Sequence, residues 1–187
     1  MSYLITCSKA KVKPSQTNPS SLNNLSFPQL NFNRQLLINC YQIQKQTILD
    51  WNKCLPAWQL YSGTGGRIYP RVNNNNWTNL NTDVKILSAL FGWIKHTDLI
   101  PYYDLKIDEK IIINNQLIPV NNYWRNNINL NQDAFINPND IDLLSTVYRK
   151  ALNRTGNSVA ITPNVNWNDK HGYHKGVWLN SELELIR

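Results

Sequence analysis

The sequence predicts an α/β fold: a single compact mixed-sheet domain with flanking helices, spanning residues 1–187. Three observations lead to this prediction. Short apolar runs typical of buried strands alternate along the chain with stretches that carry apolar residues at helical spacing. The length of 187 residues suits one domain. Hydrophobic residues make up 42% of the chain, which is enough to close a core without metal ions or disulfides.

The first half of the chain is predicted to contain a strand, a long loop, a helix and a second strand. The apolar run Tyr3–Thr6 indicates a buried strand, and the Ser-, Asn- and Pro-rich residues 10–33 indicate a long or flexible loop. Asn33 is a typical N-cap for a helix that reaches about Cys54, because apolar residues recur there at helical spacing. Trp58–Tyr61 then has the pattern of a strand that ends in a glycine-rich loop.

A buried strand and a hairpin are predicted in the middle of the chain. Asp83–Leu90 is rich in Val, Ile and Leu and ends at Phe91-Gly92, as a buried strand does. Further on, Ile111–Ile113 and Leu117–Ile118 flank an Asn-Asn-Gln turn, which is typical of a β-hairpin.

The last third is predicted as one helix and two further strands. Asn139 or Asp140 caps a helix that reaches about Asn153. Ser158–Thr162 and the region near Val177–Leu179 have the composition of short strands, separated by an aromatic and histidine-bearing loop. Residues 163–187 are expected to form a divergent C-terminal tail of the same domain.

The charge balance indicates the class of partner. There are 19 Lys and Arg residues against 12 Asp and Glu, a formal net charge of +7. Such a surface attracts polyanions, and DNA or a nucleotide are common ones. Only 17% of the residues are charged and no dense basic block occurs, so the excess could equally serve solubility alone.

Cysteine usage and hydropathy indicate a protein of the reducing cytoplasm. Cys7, Cys40 and Cys54 are odd in number and show no CxxC spacing, so neither a disulfide framework nor a thiolate zinc site is expected. No apolar run approaches the roughly 18 residues of a membrane span, and no signal peptide is recognisable. A membrane partner is therefore not expected.

The segment Tyr61–Arg67 is a candidate anion-binding loop. It follows the predicted strand and offers glycine backbone N–H groups, two hydroxyls and the Arg67 guanidinium. It matches neither the P-loop nor the GxGxxG pattern. A tight turn without a ligand is the alternative reading.

Two histidines three residues apart, His171 and His174, raise the possibility of a metal or haem site. A complete site would require further ligands from elsewhere, such as His96, Asp98 or Cys7. A solvated polar loop is the alternative. The cofactor is thus unknown from sequence, with iron or haem as the hypothesis.

Basic and aromatic residues alternate in several places, such as Arg67–Arg71, Tyr123–Arg125 and Lys170–Lys175. Interleaving of this kind suits the stacking of bases beside phosphate contacts. Rings that pack in the core, with the charges extending from them to solvent, would produce the same pattern.

Several separated segments resemble the YaaA peroxide-stress protein family. Val84–Gly92 followed by Asp98–Leu105 is similar to the family's LRxLSGLYGxLxPLDLxxPYRLEMG stretch. In the same order, Leu4–Lys9 resembles LISPAK, Leu60–Gly63 resembles VYTG, Tyr123-Trp124 resembles YxFW, and Ser158–Ile161 resembles VVIN. The chain departs from the family in places: Cys7-Ser8 replaces Pro-Ala, and Asp104 stands where the family has Arg. The resemblance covers about residues 3–162, and the longer family pattern continues beyond it.

The resemblance implies a compact α/β domain whose matched loops converge on one cleft. It also implies two functions: protection of DNA under oxidative stress by limiting reactive iron, and direct binding of DNA. The family's helix-hairpin-helix-like element has no recognisable copy in this sequence. The positions that transfer are Lys9, Tyr61, Ser62, Gly63, Ser88, Gly92, Asp98 and Tyr103.

Three functional hypotheses follow. In the first, an oxidative-stress-associated protein binds DNA or another phosphorylated or nucleobase ligand in a basic cleft, through the ligand-binding candidates Tyr61, Ser62, Gly63, Arg67, Ser88, Tyr123 and Trp124. In the second, an enzyme modifies a nucleobase, nucleotide or similar small molecule. It uses the catalytic candidates Asp98, Tyr103 and Lys9, either without a metal or with iron or haem on His96, His171 and His174. In the third, the chain is a purely structural interaction module.

Overall fold

The computed structural model describes residues 1–130, 134–152, 163 and 171–185. Its strands are β1 (Ser2–Thr6), β2 (Cys54–Pro56), β3 (Asp83–Ser88), β4 (Gly92–Lys95), β5 (Leu99–Pro101), β6 (Lys110–Ile113), β7 (Gln116–Pro119) and β8 (Ile141–Asp142). Its α-helices are α1 (Asn31–Lys45), α2 (Ala57–Leu60), α3 (Asn74–Thr78), α4 (Val120–Asn127), α5 (Thr146–Arg149) and α6 (His171–Leu185). Short 3-10 turns cover Leu22–Asn24, Pro28–Leu30, Tyr69–Arg71 and Lys150–Leu152. The predicted α/β class is confirmed.

A four-stranded sheet in the order β4-β3-β1-β8 forms the centre of the fold. Strand β1 runs parallel to both β3 and β8, whereas β4 returns antiparallel to β3. All five residues of β1 are buried. A strand that is covered on both faces is expected to consist of a continuous apolar run. The strands predicted at Tyr3–Thr6 and Asp83–Leu90 are confirmed.

The hairpin is confirmed as well, in a separate two-stranded sheet. Strands β6 and β7 pair antiparallel, and Ile113 lies opposite Gln116. The two turn residues, Asn114 and Asn115, have φ values of 50° and 63°. Asparagine tolerates this left-handed region better than most residues, which explains why it occupies a two-residue turn.

Two predictions in the first half are wrong. The helix predicted from Asn33 to about Cys54 runs only from Asn31 to Lys45 and ends where Gln46 adopts φ 49°, so that Cys54 is free to pair in β2. The strand predicted at Trp58–Tyr61 is the short helix α2, in which the Tyr61 N–H donates to the Ala57 carbonyl over 3.0 Å. Its apolar residues are buried because the helix packs into the core, and burial alone does not distinguish a short helix from a strand. The predicted loop 10–33 includes two of the 3-10 turns and places Leu25 and Leu30 in the core.

The helix predicted from Asn139 or Asp140 to about Asn153 is also wrong in its first part. Ile141–Asp142 instead pairs with β1 as strand β8, and the Asp142 carboxylate accepts a hydrogen bond from the Leu144 N–H over 2.8 Å. Only Thr146–Arg149 is α-helical. Pairing with the central strand thus overrides a locally helical pattern.

The strand predicted near Val177–Leu179 is part of helix α6. This helix packs closely on the Tyr69–Arg71 turn, because a Cβ added at Gly176 would lie 2.5 Å from the Ile68 carbonyl oxygen. Glycine is therefore required here for the close approach of two backbones. The strand predicted at Ser158–Thr162 lies outside the described residues.

A buried arginine connects the N-terminal segment to the sheet. Arg34 on α1 has no exposed surface. Its guanidinium donates to the carbonyls of Phe91 (2.8 Å), Trp93 (2.6 Å) and Ser26 (2.8 Å), and to the Asn31 amide oxygen (2.8 Å). Burial lowers the pKa of Arg34 to about 10, and nearby Asp98 opposes that shift. The side chain holds the turn between β3 and β4 against α1.

Within the part of the chain that the structure describes, no helix has both the length and the apolar character needed to span a bilayer.

Replacing Arg34 with methionine should lower the free energy of unfolding by about 3 kcal/mol, because several buried carbonyls lose their donors at once. Urea denaturation followed by circular dichroism measures the effect. Arg125→Met is the matched control, since Arg125 is half-buried and its guanidinium donates to the Asn122 side-chain oxygen over 2.8 Å; it should change stability by less than about 1 kcal/mol. Equal losses for the two variants would contradict the role assigned to Arg34.

Candidate active site

The carboxyl ends of the parallel strands converge on a group of hydroxyls and a thiol. Cys7 follows β1, Ser88 ends β3, and Tyr148 lies on α5 shortly after β8. The chain passes from β1 to β3 on one side and later to β8 on the other, so the strand order reverses at β1. Open α/β sheets place their ligand sites at the carboxyl ends of strands beside such a reversal.

Three buried hydroxyls hydrogen-bond to one another in what we call the hydroxyl cluster: Tyr61, Ser88 and Tyr103. The Tyr61 hydroxyl lies 2.8 Å from that of Tyr103 and donates to Ser88 Oγ over 3.2 Å, while Ser88 Oγ and the Tyr103 hydroxyl are 2.9 Å apart. Ser88 Oγ also accepts from the Phe91 N–H over 3.2 Å. At most 1% of each of the three cluster residues is exposed. The cluster is therefore a continuous path for a proton that is shielded from water.

Cys7 connects the hydroxyl cluster to a more accessible tyrosine. Its Sγ lies 2.9 Å from the Tyr148 hydroxyl and accepts from the Tyr103 hydroxyl over a longer 3.8 Å. Cys7 and Tyr148 both line a cavity of about 300 Å³. The thiol is thus the point at which the hydroxyl cluster meets open space.

A lysine lies over the tyrosine rings of the cluster. Lys11 Nζ is 4.5 Å from the centroid of Tyr103 and 5.9 Å from that of Tyr61, within the range of a cation–π contact. Burial lowers the pKa of Lys11 below its usual value. Burial raises the pKa of Tyr61 and Tyr103 well above the usual value, and the neighbouring Cys7 adds to both shifts. The tyrosines are consequently protonated donors at neutral pH.

Beside the cluster lies a basic cavity of about 520 Å³, which we call the anion cleft; its lining includes Cys7, Lys9, Gly65, Gly66 and Arg67. The side chains of Lys9 and Arg67 are exposed. Among its described lining residues there is no carboxylate. Two cations beside a glycine loop favour an anionic ligand.

Two other predicted ligand-binding residues support the glycine loop from within. A Cβ added at Gly63 would lie 2.6 Å from the Lys11 backbone nitrogen, so glycine is required for the 10–11 segment to pass close by. Ser62 Oγ donates to the Trp58 carbonyl over 2.7 Å. Both contacts fix the loop that carries Arg67.

Asp98 lies elsewhere in the fold. Its carboxylate accepts from Ser26 Oγ (2.7 Å), the Ser26 N–H (3.0 Å) and the Lys95 N–H (3.1 Å). Burial raises the pKa of Asp98, while those hydrogen bonds and Arg34 oppose the rise. In this position Asp98 holds two loops together and lines neither the anion cleft nor the cavity beside Cys7.

Tyr123 and Trp124 are core residues in the structure. The Tyr123 hydroxyl donates to the Asn33 carbonyl and Trp124 Nε1 to the Ala89 carbonyl, both over 2.8 Å. Both rings are at most 1% exposed. Their polar atoms fix α4 to helix α1 and to the turn after β3, and neither residue lines the anion cleft.

Two of the predicted metal-binding histidines, His96 and His174, lie beside different aromatic rings. His96 lies beside Trp77, with ring centroids 6.0 Å apart, and His174 on α6 lies beside Tyr173. His171 begins α6. Across the described ranges, no group of three or more His, Cys, Asp and Glu residues could hold a metal ion. The iron or haem hypothesis therefore finds no ligand set in this part of the chain.

Sequence reasoning missed three of the groups that surround the hydroxyl cluster. The sequence pattern indicates no site role for Lys11 or Tyr148, and it offers Cys7 only as a possible metal ligand. The Cys7–Tyr148 contact joins residues 141 positions apart, and no local pattern indicates it. The substitution of Cys7 for the proline of the resembled motif was the available signal.

Fold and site together define an α/β protein with a cleft and a buried proton-donor cluster at the carboxyl end of its parallel strands. The family model described as peroxide stress protein YaaA matches residues 8–178. The chain belongs to this family, which associates it with peroxide stress. The match confirms the resemblance and continues into the segment predicted as a divergent tail. No curated protein matches the sequence.

Because of the hydroxyl cluster, we expect the free energy of unfolding to decrease at alkaline pH. A tyrosine in the unfolded chain ionises near its usual pKa of 10, whereas the buried cluster stays protonated above it. Since the folded state then holds protons that the unfolded chain has released, the free energy of unfolding should fall as pH rises above about 10. Tyr103→Phe removes one of these protons and should reduce the fall by about 1.4 kcal/mol per pH unit.

Urea denaturation at a series of pH values tests this dependence. Tyr173→Phe is the control, because Tyr173 is 39% exposed and its removal should leave the alkaline slope unchanged. The same slope for wild type and Tyr103→Phe would refute the assignment.

Proposed function

We propose that this peroxide-stress family protein binds a phosphorylated ligand, a nucleotide or a segment of DNA, in the anion cleft. The observation that carries the proposal is the placement of Lys9 and Arg67 in one cavity at the carboxyl end of β1, without a carboxylate among the described lining residues. A phosphate gains charge-assisted hydrogen bonds from such a pair, and the guanidinium can bind two phosphate oxygens at once.

The glycine loop supports the same ligand class. Gly65 has φ 83°, a conformation that side-chain-bearing residues rarely adopt, and nothing lies within 4 Å of the position where its Cβ would be. The open space lets a ligand approach the backbone N–H groups directly. A phosphate bound there would sit between this loop and Lys9.

The size of the cleft favours a local phosphate contact over an extended duplex interface. At about 520 Å³, the cleft has the volume of a small-molecule site. We therefore infer that a mononucleotide, or a single nucleotide of a DNA strand, occupies it. DNA would add contacts to other lysines and arginines of the +7 chain.

Binding is tested by fluorescence anisotropy with a short labelled DNA and by isothermal titration with nucleotides. Lys9→Gln and Arg67→Gln should each weaken binding by about three- to tenfold, and each should lower the slope of log affinity against log salt by about one unit, because each removes one phosphate contact. Lys53→Gln is the matched control, since Lys53 is exposed and lies outside the cleft.

The two sources of phosphate give different results. Nucleotide binding that is lost in Arg67→Gln, without DNA binding, identifies a small-molecule site. DNA binding that is equally reduced in Lys53→Gln and in the cleft variants contradicts the anion cleft as the binding site.

The hydroxyl cluster favours a second candidate function, a metal-free enzyme acting on the bound ligand. Cys7 lines both the anion cleft and the adjoining cavity, and Tyr103 stands 3.8 Å behind its sulfur. A proton given up at Cys7 or Tyr148 can be replaced from Tyr103, and that of Tyr103 from Tyr61 or Ser88. The arrangement suits general acid catalysis on a ligand held by Lys9 and Arg67.

Turnover of nucleotides and nucleosides, followed by mass spectrometry, tests the enzyme hypothesis. Tyr103→Phe should retain ligand affinity and reduce product formation by about 100-fold or more. Product formation that is unchanged in Tyr103→Phe would exclude the hydroxyl cluster from the chemistry, while leaving ligand binding in the anion cleft untouched.

A further inference from the structure

A second cavity, distinct from the anion cleft, lies at the opposite end of the central sheet. Its volume is about 930 Å³, and its lining includes Ser2 and Asp83, which are the paired first residues of the parallel strands β1 and β3. The anion cleft lies instead beyond the last residues of β1. The two cavities thus occupy the amino and the carboxyl ends of the same strands.

This second cavity is built from stacked aromatic rings. Trp58 lies nearly parallel to Trp77, with ring centroids 6.0 Å apart and an interplanar angle of 12°, and His96 lies 6.0 Å from Trp77 on a tilt of 35°. All three residues line the cavity. Trp58 is half-buried, whereas Trp77 is 1% and His96 5% exposed. We call these three residues the aromatic wall.

The aromatic wall contains polar atoms without partners. Across residues 1–130, 134–152, 163 and 171–185, three buried side-chain polar atoms have no hydrogen-bond partner: Trp77 Nε1, His96 Nδ1 and Asn76 Oδ1. Two belong to the wall itself and the third to the residue next to Trp77. A buried polar group without a partner costs about 1–3 kcal/mol. The two such atoms on rings that line the cavity, Trp77 Nε1 and His96 Nδ1, therefore favour a ligand that supplies the missing bonds there.

The charges around the cavity are already neutralised in pairs. Lys85 Nζ lies 2.9 Å from the Asp140 carboxylate, and Lys95 Nζ lies 2.9 Å from that of Asp83. All four residues line the cavity. Unlike the anion cleft, this cavity offers no unbalanced pair of cations, so an uncharged ligand fits it better than a phosphate.

We infer that the second cavity binds a small, uncharged, planar heterocycle that carries both carbonyl and ring N–H groups, such as a free nucleobase. The Trp77 indole supplies a donor, and the His96 ring supplies either a donor or an acceptor. The edge of such a heterocycle carries groups that complement both. The flat face of the ligand stacks on tryptophan, a contact that every base can make.

Access to the unpartnered atoms requires a movement of Trp58. Trp77 Nε1 and His96 Nδ1 are buried, and the Trp58 ring stacks on the face of Trp77, so a ligand can stack on Trp77 from the cavity only when the Trp58 ring turns aside. The Trp58 backbone is held by its N–H, which donates to the His96 carbonyl over 3.1 Å, so that the side chain can rotate while the backbone stays in place. The indole then closes over the ligand.

The inference does not depend on the proposed function, and the test separates the two sites. Uracil and hypoxanthine are titrated against the full chain by calorimetry and by tryptophan fluorescence. Benzyl alcohol, which is aromatic but lacks a ring N–H or carbonyl, serves as the ligand control. Saturable binding of at least one base, and weaker binding of benzyl alcohol, is the expected result.

Variants then locate the binding site. Trp77→Phe keeps a ring and removes the N–H, and should lower base affinity about tenfold. Trp51→Phe is the matched control, since Trp51 packs edge-on against Phe91 and does not line this cavity; it should leave affinity unchanged. Arg67→Gln, in the anion cleft, should also leave base affinity unchanged.

A second measurement covers the case in which Trp77→Phe does not fold. The chain has 7 tryptophans, whose indole N–H signals are resolved in a ¹⁵N-correlated NMR spectrum of the wild-type protein. Base binding should move one of these signals downfield as Trp77 gains an acceptor. No saturable binding of either base at millimolar concentration, unchanged affinity in a folded Trp77→Phe, or loss of base binding in Arg67→Gln would each overturn the inference.

Discussion

The buried guanidinium of Arg34 is the interaction on which the geometry of the candidate site depends. It donates to the carbonyls of Phe91, at the end of the turn that connects β3 to β4, and of Trp93, in β4 itself. That turn carries the Phe91 N–H to Ser88 Oγ and places the Phe91 ring edge-on against Tyr103, 5.3 Å away. A single side chain on α1 thus determines where the backbone beneath the hydroxyl cluster lies. Such a cation is tolerated in the core because its donors meet oxygens arranged around it.

The two ends of the central sheet have different chemical character for a topological reason. At the carboxyl ends, backbone loops leave the parallel strands and bring in glycine, serine and cationic side chains from distant parts of the chain. At the amino ends, helices α2 and α3 contribute Trp58 and Trp77, and the residue after the antiparallel β4 is His96. One end therefore provides positive charge and hydroxyl donors, and the other provides flat apolar faces with a few polar atoms among them.

The parts of the fold that sequence predicts are those determined by local pattern. The continuous apolar run of β1, the run of β3, and the Asn-Asn turn of the β6–β7 hairpin each carry their signal within a few residues. The regions near Trp58 and Val177 were predicted as strands because short apolar segments fit either structure; tertiary packing selects helix, in the second case through the close approach at Gly176. Strand β8 is set by pairing with β1, a contact that no local window contains.

In the candidate site, too, local motifs predict some residues, whereas the contacts of others depend on the tertiary structure. Tyr61, Ser88 and Tyr103 were found from the resemblance to the family, whose pattern places them together, and the structure joins their hydroxyls directly. Lys9 is also indicated by the resemblance, whereas Arg67 is indicated by its charge beside a glycine-rich loop. Asp98 was matched by position, yet its carboxylate is occupied by Ser26 and the Lys95 N–H. A sequence motif predicts which residues belong to the site. The hydrogen-bond partners of each residue depend on contacts between segments that are distant in sequence.

The shortness of β8 bears on how the protein behaves at high concentration. Strands at the edge of a sheet carry unpaired backbone groups that can recruit the strand of another molecule, and long flat edges promote aggregation. Among the described residues, β8 is the edge strand beside β1, and it pairs with β1 over only two residues. The Asp140 carboxylate just before β8 pairs with Lys85, and the Asp142 carboxylate within β8 pairs with Arg149. An incoming strand would meet a short register and buried ion pairs, so this edge of the described sheet is protected against edge-to-edge growth.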